Sequence, residues 1–200
     1  MKKYIFFILL ISFIYPRRNC LLDAETDVLR RSTRPERQTH AVSDLGYFYI
    51  WYDTTGSKAP DLIDINENGV PDYIDEVGII ADSARKVIVE VMRYQHAPFD
   101  ADSIYDIYVK VYPPKSFGHC LNEGNGISYL EIDNDYSGNN STYGQTPLKI
   151  MQLTVVHEYF HAIQYGYQVN HGAGSGSDAY FFEMTSMWIE DVILPDGNDY

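Results

Sequence analysis

Cysteine is nearly absent from this chain: two occur in 200 residues, Cys20 and Cys120. A single bridge between them is the most that could form, with two unrelated thiols the equal alternative, so no disulfide framework holds the fold. Two thiols also cannot build a zinc–thiolate site, and any zinc bound here must take nitrogen and oxygen ligands. Basic charge is scarce as well. Lys and Arg number 15 against 28 Asp and Glu, a formal net charge of −13 that argues against nucleic acid as a partner.

Long apolar runs are missing too. Behind Lys2 and Lys3, about a dozen mostly apolar residues from Tyr4 to Tyr15 precede Pro16, short of the roughly 20 needed to span a bilayer. That pattern fits a signal peptide over residues 1–19, and predicts a secreted product, extracellular or in the cell envelope, with no stable membrane insertion after cleavage. Residues 20–45 are polar and without sustained periodicity, and read as a linker or propeptide-like segment. Residues 46–200 then form one domain, for which a hydrophobic content of 45% is enough to build a core. Because the chain stops at Tyr200, soon after its most informative motifs, a domain truncated at its carboxy terminus is expected.

The elements point to an α+β fold. Tyr47 to Tyr52 is aromatic and β-branched and predicts a strand, followed after a Gly-, Asp- and Asn-rich loop over 61–75 by an amphipathic helix through Ile79, Ile80, Ala84, Val87, Ile88, Val91 and Met92. Tyr105 to Tyr112 and Ile127 to Ile132 predict two more strands of the same sheet. Helices are expected over 148–168 and from Asp178 to Val192, on either side of the glycine- and serine-rich stretch 171–177. No internal repeat is present.

Two motifs carry chemistry. On the first of those late helices, His157 and His161 stand four residues apart, so both imidazoles face one side and can reach one ion at about 2.0–2.1 Å. Glu158 follows the first histidine by about 100° of helical rotation, beside such an ion but outside its first shell. There it is placed to take a proton from a zinc-activated water, the arrangement by which zinc peptidases hydrolyse peptide bonds. The flanking Leu153, Val155 and Val156 imply a buried helix rather than two surface histidines. The third ligand of a metzincin is excluded, since Gln164 and Tyr167 occupy the positions where its Gly and His would stand. Glu183, set among apolar neighbours in Phe181-Phe182-Glu183-Met184, is the favoured third ligand. Glu190 shares its face two turns on and is the rival, with Asp178 third; Glu190 or Asp191 could instead orient a ligand histidine. Among 18 tyrosines, Tyr165, Tyr167 and Tyr180 could serve an oxyanion, although core packing is the commoner use.

The second motif lies upstream. Asp64, Asn66, Asn68, the Val70 carbonyl, Asp72 and Asp75 set oxygen donors at the successive ligand positions of an EF-hand-like loop, with Gly69 at its sharp turn. A structural calcium ion is expected there, the alternative being an Asx-turn loop that binds nothing.

His157-Glu-Tyr-Phe-His-Ala-Ile-Gln164, followed by Glu183 and then Trp188 and Glu190, resembles the gluzincin, thermolysin-like group of zinc peptidases. The chain resembles most closely a family of secreted bacterial metalloproteases that pair such a site with an upstream Asp-x-Asn-x-Asn-Gly-x-Pro-Asp loop. The resemblance covers about residues 46–195. It implies a zincin-type fold, with a mixed sheet packed on the active-site helix, a second helix supplying the third ligand, and the metal in a cleft beneath an edge strand. It also implies a protein or peptide substrate. One departure stands out: where the thermolysin-like enzymes carry an Asp that braces a ligand histidine, four residues after the glutamate, this chain has Met187. Two other functions stay open on sequence grounds, a secreted calcium-stabilised binding or adhesion module with a structural or vestigial zinc site, and a zinc hydrolase acting on a non-peptide bond.

Overall fold

The computed structural model describes residues 34–114, 116–138, 145–171 and 179–197, with the side chains of 168–171 and 179 excepted. The expected signal peptide, Cys20 and Asp178 lie outside the described residues.

Five strands form one mixed sheet: β1 (Thr39–Val42), β2 (Phe48–Tyr52), β3 (Tyr105–Lys110), β4 (Gly118–Gly124) and β5 (Ile127–Asp133), in the order β1-β2-β3-β5-β4. The pairs β2/β3 and β3/β5 are parallel, while β1 and β4 run antiparallel on the two edges. Parallel neighbours need a crossover, and α1 (Asp72–Arg85), prolonged by a π-helical turn over Lys86–Val91, supplies it between β2 and β3. The other helices are α2 (Pro147–His171) and α3 (Ala179–Ile193).

Alternation decides which face of the sheet is buried. Phe48, Ile50, Ile107, Val109, Leu130 and Ile132 point to the helical side and are at most 1% exposed, against Ile74, Val77 and Ala81 of α1 and Met151, Val155 and Tyr159 of α2. The opposite face carries an aromatic ladder, in which Trp51 stacks on Tyr108 and Tyr108 meets Tyr129 edge-on. Arg34 lies over Tyr129 and pairs with Asp100, Asp106 and Glu123.

Three boundaries differ from the sequence reading. Thr39–Val42, assigned there to the linker or propeptide-like segment over 20–45, is an edge strand, and Arg34 and Arg37 already bond to the sheet, so the domain begins before residue 46. The charged residues around β1 hide a strand with only one neighbour and one half-buried side. The first helix starts at Asp72, inside the predicted loop, because Asp72 and Asp75 suit the positive end of the helix dipole. Strand β4 has no counterpart in the sequence reading. It joins β5 through Asn125-Gly126, both at positive φ (54° and 78°), the backbone of a tight hairpin turn.

Helix α2 is the central element. Thr146 caps it, its Oγ1 accepting the Lys149 amide at 3.2 Å, and Pro147 takes the first helical position, where a missing N–H is harmless. From Leu153 to Gln164 every residue is buried, since the helix lies between β4 and β5, α1 and α3. At Gly118 β4 comes close against α2: a Cβ there would stand 2.6 Å from Thr154 Cγ2 and 3.4 Å from Glu158 Cγ. Glycine is what lets an edge strand lie directly over Glu158.

Candidate metal centre

The i, i+4 spacing on α2 does what the sequence predicts. His157 Nε2 and His161 Nε2 are 3.0 Å apart, and Glu183, from the inner face of α3, brings Oε2 to 3.2 Å of the first and Oε1 to 3.6 Å of the second. Ligand atoms of the three residues all lie within 4.8 Å of one another, and among the described residues no other trio of His, Cys, Asp or Glu is gathered as tightly.

The far side of each imidazole fixes its proton. His157 Nδ1 is 2.5 Å from Glu190 Oε1, a carboxylate that can only accept when ionised, so Nδ1 carries the hydrogen. His161 Nδ1 is 2.7 Å from Gln164 Oε1. That amide cannot be turned round, because its Nε2 donates to the Phe182 carbonyl at 3.1 Å and to Thr185 Oγ1 at 2.9 Å. Both Nε2 atoms therefore present lone pairs. Two lone pairs and a carboxylate facing one another at such distances make a cradle for a cation, and nitrogen and oxygen donors of this kind suit zinc. Burial acts in the same direction. His161 is 2% exposed, and desolvation, then the neighbouring His157, hold its pKa below the ordinary value, keeping it neutral and able to ligate.

Glu190, the rival for third ligand, instead orients His157; it is 2% exposed and stands behind that ring. It takes over the bracing that Met187, with an exposed side chain on the outer face of α3, does not provide. Gln164 is the residue whose role behind His161 sequence reasoning missed. Its one signal is position, a polar side chain three residues beyond His161 on a helix otherwise apolar over that turn.

Glu158 is 3% exposed, beneath Gly118 of the edge strand and close enough for its charge to act on His161, Tyr112 and Cys120. Of the three tyrosines considered for an oxyanion, Tyr167 accepts the Gln95 amide and Tyr180 is 69% exposed on the outside of α3, so neither is directed to this centre. Tyr165 packs against the core. Cys120 is a free, buried thiol beside Tyr105 and Ser128, its pKa pushed up by burial.

The upstream loop closes on itself. Asp64 accepts the amides of Asn68 at 3.1 Å and Gly69 at 2.8 Å, Asp72 accepts that of Ile65, and the side-chain amides of Asn66 and Asn68 both reach Asp75 Oδ2. Asn66, Asn68, Val70, Asp72 and Asp75 line one side of a cleft of about 300 Å³ against β1 and α1.

Comparison of the chain with protein-family models, curated proteins and solved structures gives no match. Among the described residues, no helix is long and apolar enough to cross a membrane.

Proposed function

We propose that this chain is an exported, zinc-dependent endopeptidase with a zincin-like catalytic domain. The observation that carries the reading is the convergence of His157 Nε2, His161 Nε2 and Glu183, with both histidine tautomers fixed from behind. His157, His161 and Glu183 would hold the zinc, which would supply Lewis-acid activation of the attacking water. Glu158 is then the general base, taking the proton of the attacking water and returning it to the leaving amine. Glu183, with a side chain 29% exposed, leaves one side of the centre accessible, as a catalytic site requires and a closed structural site does not. The antiparallel edge strand β4 beside Glu158 offers backbone groups for an extended peptide, and the abundance of acidic side chains fits a protein that works outside the cell.

The test is elemental analysis of zinc-supplied protein, followed by hydrolysis of an unfolded protein substrate with and without a chelator. One zinc per chain and chelator-sensitive cleavage are expected. A chain that folds yet takes up no zinc would leave the calcium-stabilised binding module as the better account, and zinc without cleavage would leave a structural site or another hydrolysed bond.

A calcium ion in the Asp64–Asp75 loop belongs to the same proposal, as a brace for the start of α1. Calcium at 100 times its dissociation constant should add about 2.7 kcal/mol, or roughly 5–10 °C in melting temperature for a domain of this size. Asp64→Ala should remove that shift while leaving zinc content unchanged; an unshifted parent would show the loop to be held by its Asx turns alone.

A further inference from the structure

The start of strand β4 is pinned by a buried phenol. Tyr136, three residues beyond the end of β5, is 0% exposed, and its hydroxyl donates to the Phe117 carbonyl at 2.8 Å, immediately before Gly118 opens the strand. The same oxygen accepts the Asp133 amide at 3.3 Å, and the phenol also reaches Thr154, one turn ahead of Glu158 on α2. One hydroxyl thus ties together the end of β5, the entry to β4 and the helix that carries Glu158.

Filling the core does not account for this residue. A phenylalanine would pack as well there, whereas a buried hydroxyl costs free energy unless it is hydrogen-bonded, and this one is committed to the backbone ahead of β4. The backbone of Tyr136 is also strained. Its φ of 53° lies in the left-handed region, which a residue with a large side chain keeps only where the surroundings over-determine it. Asp133 supplies that constraint: it is 4% exposed, and accepts the Tyr136 amide on Oδ2 at 3.2 Å and the amides of Tyr112 and Asn134 on Oδ1. The stretch so placed is the one that lies on Glu158, since a Cβ on Gly118 would stand 3.4 Å from Glu158 Cγ. Two residues on, Cys120 points the same way, within reach of the Glu158 charge.

We propose that Tyr136 is a positioning residue for peptide hydrolysis: by holding Phe117 and Gly118 it fixes the depth of β4 over Glu158, and so aligns an extended peptide paired along that strand with the metal centre. This role rests on the peptidase reading, and it belongs to a side chain too deeply buried to touch the substrate itself. Without the hydroxyl, the Phe117 carbonyl loses its partner and the strand is free to lift. Each substrate then has to re-order β4 before it is aligned, a cost that falls on binding and not on the chemical step.

Tyr136→Phe tests this in the full, zinc-supplied chain with two substrates, an unstructured peptide longer than the 7 residues of β4 and a blocked dipeptide amide too short to pair along it. For the long peptide KM should rise about tenfold, the factor equivalent to one net hydrogen bond, with kcat within about twofold of the parent. Zinc content and the KM of the short amide should stay unchanged. Tyr167→Phe, which removes a phenol bonded to the Gln95 amide, should leave both KM values as in the parent. Hydrogen exchange reads the same pin without turnover: β4 amides should exchange about tenfold faster in Tyr136→Phe, with those of β1 unchanged. An active variant with the parent's KM for the long peptide overturns the proposal, as does a rise shared by the short amide. Amides of β4 as slow in the variant as in the parent overturn it too. If Tyr136→Phe does not fold, the parent decides, and β4 amides that exchange as fast as those of the other edge, β1, show that nothing pins the strand. A parent that binds zinc and hydrolyses neither substrate sinks the peptidase reading and this role with it, an outcome distinct from an active enzyme indifferent to Tyr136.

Discussion

Glu158→Gln is expected to retain one zinc per chain and to lose roughly 10²–10⁴-fold in peptide hydrolysis, the range associated with a positioned general base. The amide keeps the shape of the carboxylate, which matters because Glu158 is buried beneath Gly118, where there is no slack for a larger side chain. It cannot accept a proton at neutral pH. Glu183→Ala should behave differently, losing zinc and activity together, since two imidazoles alone leave a catalytic zinc one protein ligand short. Metal content and turnover measured side by side on the two variants separate the roles. Equal zinc loss in both would place Glu158 in the first shell instead, and undiminished hydrolysis in Glu158→Gln would rule it out as the base.

The parts of this centre that were legible in the sequence are those that a single helix imposes. His157 and His161 meet because i and i+4 share a face, and Glu158 is placed by the same rotation. Glu183 could be favoured over Glu190 only by its apolar neighbours, because their separation of seven residues puts both on one stripe of α3. What ranks them is the offset between α2 and α3, a tertiary quantity. It sets Glu183 against both Nε2 atoms and Glu190 against His157 Nδ1. The contact of Gln164 with His161 escaped notice for a related reason. A glutamine three residues after a ligand reads as a solvated side chain until α3 covers it and ties its amide to Phe182 and Thr185.

The sheet shows the same division. Strands β2, β3 and β5 are buried on one or both faces and so announce themselves by apolar alternation, whereas the edges β1 and β4 carry His, Asn, Glu and Gly toward solvent. The hairpin signal for β4 was present in Asn125-Gly126, just before β5, but was not read as one. This matters for function, since β4 is the strand that overlies Glu158.

Removing the Glu190 carboxylate should show how far the centre depends on orientation rather than on ligand count. Glu190→Ala takes away the acceptor of the His157 Nδ1 proton in a place that water does not reach, and is expected to weaken zinc binding 10–100-fold. Zinc-free protein should also lose about 1–3 kcal/mol, the penalty for a buried polar group deprived of its hydrogen bond. Glu190→Gln, which keeps an oxygen at the same reach, should recover most of both. An acid titration of the zinc-free parent supplies the complementary measurement. His161 has its pKa held below the ordinary value of 6.5 by burial, so between the two values the unfolded chain binds a proton that the folded chain refuses. The stability this histidine contributes is therefore complete above pH 6.5 and is lost as pH falls through the folded value. Urea unfolding at about pH 8 and about pH 5.5 should give the lower midpoint in acid, and zinc should shift the acid limb downward because it binds only the neutral ring. An unchanged midpoint would mean that His161 is not held neutral, and an unchanged zinc affinity in Glu190→Ala would mean that α2 alone orients His157.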